Sequence, residues 1–191
     1  MRRTIDTRPI LQRREPALLV AVVTTFAALF LFAAPRADAQ SEDQVMAAFL
    51  LNFARYVEWP KDAFDGGDSP VTICMMSSKA FSEVVSQTIS GKTVDDRPVE
   101  IDRKADLTQT DGCHIVFIGR DFDKAPGATA AALASSSVFS VADKEGFASA
   151  GGIANFYRAD NKIRFEINPN AAKKAGLKIS SRLLRLAKVV N

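Results

Sequence analysis

From Glu42 to Val57 the apolar residues Val45, Phe49, Phe53 and Tyr56 recur at helical spacing, and Met46, Leu50 and Val57 widen the same face. That spacing predicts an amphipathic helix, which Pro60 ends. Asp62 to Pro70, rich in Gly and Asp, reads as a loop. Val71 to Met76 is a continuous apolar run of strand length, as expected of a strand buried on both faces. Ser78 is placed to cap a helix through about Ile89, with Phe81, Val84, Val85 and Ile89 as its buried side. Arg97 to Arg103 alternates through Val99 and Ile101, the pattern of a half-buried strand. Cys113 to Ile118 is a second fully apolar strand. Pro126 opens a short alanine-rich helix to Ala134, and Ser137 to Val141 returns as a strand.

Ile153 to Tyr157 and Ile163 to Ile167 flank the polar stretch Arg158 to Lys162. Asp160 and Asn161 tolerate the left-handed backbone of a tight turn, so this is a β-hairpin. Asn168 can cap the next helix, Pro169 fits its first position and Gly176 suits its stop. Ser180 caps a last helix, with Ile179 and Leu184 as a hydrophobic staple. There a Leu183, Ala187 and Val190 stripe lies opposite Arg182, Arg185 and Lys188. Strands separated by helices, then a hairpin, predict a three-layer α/β sandwich. Its central sheet is mainly parallel with an antiparallel C-terminal hairpin, flanked by helices.

Residues 1–39 have a different grammar. Arg2, Arg3, Arg8, Arg13 and Arg14 precede an apolar run from Ala17 to Ala34, and Ala37-Asp38-Ala39 forms a small-x-small site. This is the order of a secretory signal peptide, with cleavage expected after Ala39. The apolar run approaches the length of a membrane anchor, but the small-residue site and Pro35 favour cleavage. The expectation is an exported protein with one domain over residues 40–191. The leader holds six of the 25 Lys+Arg and three of the 22 Asp+Glu, so the remainder carries 19 of each and is formally neutral. The basic pI therefore belongs to the leader and implies neither a nucleic-acid nor an anionic-membrane partner. An even pair of cysteines, Cys74 and Cys113, favours a disulfide in an exported protein, the alternative being two buried thiols.

Catalytic constellations are sparse. His114, the single histidine, stands at the start of an apolar strand and reads as a core-edge imidazole with a backbone partner. Neither cysteine has a ligand neighbour at zinc spacing, and no G-x-S-x-G, P-loop or dinucleotide fingerprint occurs. Asp95-Asp96 and Asp121/Asp123 fit turns and caps better than a cation site. No enzyme, cofactor or metal is expected. Recognition has better candidates. Trp59 sits at the corner after the first helix, between a binding anchor and a lid over the sheet. Arg164, Glu166 and Asn168 alternate on the hairpin strand opposite Ile163, Phe165 and Ile167.

The run from Met46 through Asn52-Phe53-Ala54-Arg55-Tyr56 to Glu58-Trp59-Pro60 resembles the opening signature of the YfiR family. Cys113 to Gly119 resembles its middle strand. Gly151-Gly152-Ile153, then Arg164 to Asn168 and Gly176 to Leu184, resemble its C-terminal block. The resemblance implies a periplasmic α/β protein that works as a homodimer. Its partner would be an inner-membrane diguanylate cyclase, bound at the periplasmic sensor region and held inactive, which lowers cyclic-di-GMP and biofilm formation. It also implies redox sensitivity through disulfides, with Cys74 and Cys113 as one family pair. The second pair of some relatives, around Ala148 to Asn155, has no counterpart here. On this reading Arg164, Glu166, Asn168 and Trp59 are candidates for the partner surface. A small-ligand-binding sensory domain serving another membrane sensor is the alternative.

Overall fold

The computed structural model describes residues 41–191. The expected export signal and its cleavage point lie outside the described residues. The chain enters with α1 (Glu42–Tyr56), where Ser41 and Gln44 form a reciprocal capping box that satisfies two orphan N–H groups. A two-residue strand, β1 (Val57–Glu58), leaves α1 directly. Then come β2 (Val71–Met76), α2 (Lys79–Ile89), β3 (Thr93–Val94), β4 (Arg97–Arg103), β5 (Ile115–Ile118), α3 (Pro126–Leu133) and β6 (Phe139–Ala142). The C-terminal part adds β7 (Ala154–Ala159), β8 (Lys162–Ile167), α4 (Pro169–Lys174), β9 (Lys178–Ile179), α5 (Ser181–Leu184) and β10 (Lys188–Val189).

The main sheet has eight strands in the order β10-β8-β7-β6-β5-β2-β4-β3. From β4 to β7 neighbours run parallel, and the β7–β8 and β3–β4 pairs are antiparallel. Alternation along the parallel strands builds two cores. Ile73 and Met75, Ile115 and Phe117, Phe139 and Val141 face α1 and α2 in one layer. Cys74 and Met76, Val116 and Ile118, and Ala142 face Leu107, Ala130, Leu133 and Phe147 in the other. The molecule is thus a three-layer α/β sandwich with a mainly parallel sheet and a C-terminal antiparallel hairpin. In the second core Cys74 and Cys113 are joined, their Cα atoms 5.7 Å apart, tying β2 to the segment that enters β5.

Local signals place the turns where they were expected and refine their lengths. Asp160 and Asn161 both take positive φ (52° and 56°), so the hairpin has a two-residue turn and longer strands than a five-residue loop allows. Asp95 and Asp96 do the same between β3 and β4. The expected last helix is a single turn. After Leu184 the chain extends and β10 pairs parallel with Glu166 and Ile167 of β8. The hairpin is therefore not the sheet edge, because Lys188, Val189 and Val190 add to it. A further small sheet, β1 with β9, was not expected from two-residue segments.

Candidate partner-binding face and sheet crevice

Strand alternation puts Arg164 and Glu166 on one face of β8, but their surroundings differ. The Arg164 side chain is half exposed and pairs with Asp160 at 3.0 Å, near the hairpin tip. Glu166 is largely covered; Lys188 of β10 donates to its Oε1 at 2.7 Å. That bond to Glu166 raises the Lys188 pKa above its ordinary value. Asn168 is buried and leaves the strand pattern. Its Oδ1 accepts from the Ala171 N–H, capping α4, and its Nδ2 donates to the Ala148 carbonyl. Asn155, opposite Glu166 in the register, is fully buried and accepts from the Ala148 N–H. The loop from Phe147 to Gly152 therefore closes over this end of the hairpin. Gly152 is required there, since a Cβ would meet the Phe147 ring at under 3 Å.

Trp59 is not part of that cluster. Its indole Nε1 donates to the His114 carbonyl at 3.2 Å, next to the start of β5. Three strand places separate β5 from β8, about 14 Å across a sheet. Trp59 is half-buried in an aromatic group with Phe64 and His114. The His114 ring stacks on Phe64 at 4.2 Å, and the Arg97 guanidinium lies 4.1 Å over the other partner of that stack, the Phe64 ring. Both imidazole nitrogens are used: the Thr72 N–H donates to Nδ1, and Nε2 is 3.0 Å from the Ala63 carbonyl, to which it donates in the matching neutral tautomer. The histidine is a structural imidazole at the edge of the core.

Burial pushes the His114 pKa below the ordinary 6.5, and Arg97 adds to that shift. The unfolded chain then binds its proton first as pH falls. Stability is fully present above about pH 6.5 and declines as pH drops from there toward the depressed folded value. Melting curves between pH 7.5 and pH 5 should show this loss, and His114→Gln should flatten that part of the profile. An unaltered profile in the variant assigns the loss to carboxylates instead.

The carboxyl ends of the parallel strands hold the other candidate. β2 leads through α2 to β4 on one side, whereas β5 lies on its other side, so the chain reverses direction between β2 and β5. Such switch points are where open α/β sheets take ligands. Here an open crevice of about 440 Å³ is lined by Ser77, Gly119, Arg120, Asp121 and Asp143, with Met46 and Phe117 at its apolar side. Buried Asp143 accepts from Arg120 at 2.9 Å and from Arg158 at 2.9 Å, and Arg158 also pairs with Glu42 of α1. These bonds raise the Arg158 pKa, the Asp143 bond foremost. The network laces the ends of β5, β6 and β7 to α1. Sequence reasoning missed Asp143, although a carboxylate directly after the buried run Phe139–Ala142 is the signal that finds it.

Among the described residues no group of three or more His, Cys, Asp or Glu is arranged to hold a metal ion, and no helix is long and apolar enough to cross a membrane. The solved structures share the fold. One, described as a conserved domain protein from Vibrio cholerae O1 biovar eltor str. N16961, is 10% identical with a TM-score of 0.54, covering 79% of this chain and 60% of its own. No curated protein matches the chain in sequence. The family model described as YfiR/HmsC-like matches residues 43–188, from the first turn of α1 into β10. The chain belongs to the YfiR/HmsC-like family, and membership points to a periplasmic regulator in cyclic-di-GMP signalling.

Proposed function

We propose that this protein is a periplasmic repressor of a membrane diguanylate cyclase. In this reading it is exported with a cleaved signal peptide, works as a homodimer and binds the cyclase's periplasmic sensor region. The observation that carries the proposal is the family match, which runs through nearly all of the described fold. Repression requires tighter binding to the inactive cyclase than to the active one, since equal affinity shifts no equilibrium. The contact surface is centred on β8: Arg164 at its exposed part, the Glu166–Lys188 pair beside it, and the start of α4 held in place by Asn168. Trp59 marks a second, separate part of the surface.

Arg164→Asp is the clean probe, because an exposed ion pair with Asp160 contributes only about 0–1 kcal/mol. Glu166 is a poorer first choice, as its loss leaves the strand-pairing Lys188 without its partner. Deleting the gene should raise cyclic-di-GMP in the native host, and Arg164→Asp should reproduce that rise with a melting temperature within about 2 °C of wild type. Unchanged cyclic-di-GMP in the deletion sinks the repressor reading. A rise in the deletion but not in the variant moves the contact surface away from β8. A second reading, a small-ligand sensory domain serving another membrane sensor, draws support from the crevice between β2 and β5.

A further inference from the structure

The neutral net charge of residues 40–191 conceals a strong division. Residues 40–168 carry 13 Lys+Arg against 19 Asp+Glu, whereas residues 169–191 carry six Lys+Arg and no acid. All six, from Lys173 to Lys188, are exposed. Lys188 is matched by Glu166, and Lys178 stands opposite Glu58 in the β1–β9 register. Lys173, Lys174, Arg182 and Arg185 make no ion pair among the described residues. The same segment holds the two large apolar side chains that stand free among the described residues, Leu186 at 69% exposure and Val189 at 51%. Lys174 lines one cavity with Asn191, so the last turn of α4 lies beside the end of β10. Leu186 lines a separate cavity beside Lys162 and Arg164 of the hairpin. The C-terminal segment thus carries both cations and protruding apolar groups, while residues 40–168 have an excess of acids.

We propose that the segment from Arg182 to Val189 docks on an anionic phospholipid surface. Arg182 and Arg185 contact the headgroup phosphates, and Leu186 and Val189 enter the boundary between headgroups and acyl chains. The pattern is that of an interfacial element, in which basic side chains supply attraction and apolar ones supply burial. A second copy of the chain meeting this segment through its own is a poor occupant, because a two-fold axis would set Arg182 and Arg185 against the same two cations. An acidic protein groove is less favoured, since Leu186 and Val189 protrude and the partner must yield to them. The acidic remainder of the domain is repelled by the same lipid surface, so docking is oriented as well as attractive. The proposal does not depend on the cyclase reading.

Protein purified from its host should cosediment with vesicles of phosphatidylglycerol and phosphatidylethanolamine at low salt, and not with phosphatidylcholine vesicles. Binding should be lost at about 1 M salt, where the Debye length is about 3 Å. Arg182→Glu/Arg185→Glu should weaken the partition coefficient by more than tenfold, at about fivefold for each cation removed. Leu186→Ser/Val189→Ser should weaken it while leaving the melting curve in place. The exposed pair Lys61→Glu/Lys92→Glu changes net charge equally and should bind as wild type. Absence of binding to the anionic vesicles overturns the proposal, as does equal weakening by the Lys61/Lys92 control. Binding seen only when a membrane protein is incorporated assigns the segment to a protein partner and overturns it too.

Discussion

Breaking the Cys74–Cys113 bridge should lower the melting temperature by about 10 °C. The two cysteines are 39 residues apart in sequence. Closing a loop of that length removes denatured-state entropy equivalent to about 4 kcal/mol in the chain-entropy treatment. In a domain of about 150 residues each kcal/mol moves the midpoint by roughly 2–4 °C. The whole stability of such a domain is about 5–15 kcal/mol, so one covalent link decides a large share of it. Both sulfurs lie in the second core, with Cys74 fully buried between Met76 and Val116. Reductant should therefore act slowly on the folded protein and rapidly once it is opened by mild denaturant. Melts of the oxidised protein, of protein reduced while unfolded, and of Cys74→Ala/Cys113→Ala give the comparison. Two titratable thiols in a reduced sample that melts with the oxidised one would show that the bridge contributes no stability.

The parts of the fold set by local chemistry were legible from the residues. Ser78, Asn168 and Ser180 each accept a backbone N–H as helix caps, and Gly176 takes the positive φ that ends α4. The fully apolar runs became central parallel strands because both of their faces had to be covered. The misjudged parts depend on distant partners. Lys188 to Val190 reads as helix by its spacing from Leu183, but a free edge on β8 and the Glu166 carboxylate draw it into an extended strand. No local pattern announces that pairing, nor the two-residue β1–β9 sheet.

The candidate surface was half legible for the same reason. Alternation put Arg164, Glu166 and Asn168 on one side of a strand. It could not foresee that the loop around Ala148 would accept and cover Asn168. Net charge hid more than it told. A formally neutral domain turned out to be acidic through residue 168 and basic beyond it, and only the fold shows that all six of those cations remain exposed.

Phe53→Ala should cost about 3–5 kcal/mol, the largest effect of any single substitution considered. Phe53 is on α1 with no exposed surface, and its ring lies 5.1 Å from Phe139, 5.9 Å from Phe156 and 5.2 Å from Phe165. It thereby joins the helix to β6, β7 and β8 at once. Edge-to-face and offset pairs of this kind add about 0.5–1.5 kcal/mol beyond the area they bury, and the four rings act on one another, so the losses are not additive. The surrounding shell has little freedom to collapse: β6, β7 and β8 are fixed by their ladder, and α1 is tied at its start by the Glu42–Arg158 pair. The cavity should therefore persist, which places the cost toward the upper end. Phe49, one turn earlier and only half-buried, should cost less when truncated. Urea unfolding distinguishes the cases: the midpoint should fall steeply for Phe53→Ala with an unchanged slope, since the surface exposed on unfolding is nearly the same. A loss under about 1.5 kcal/mol would mean that α1 slides inward to fill the space, and that the helix is not held rigidly against the sheet.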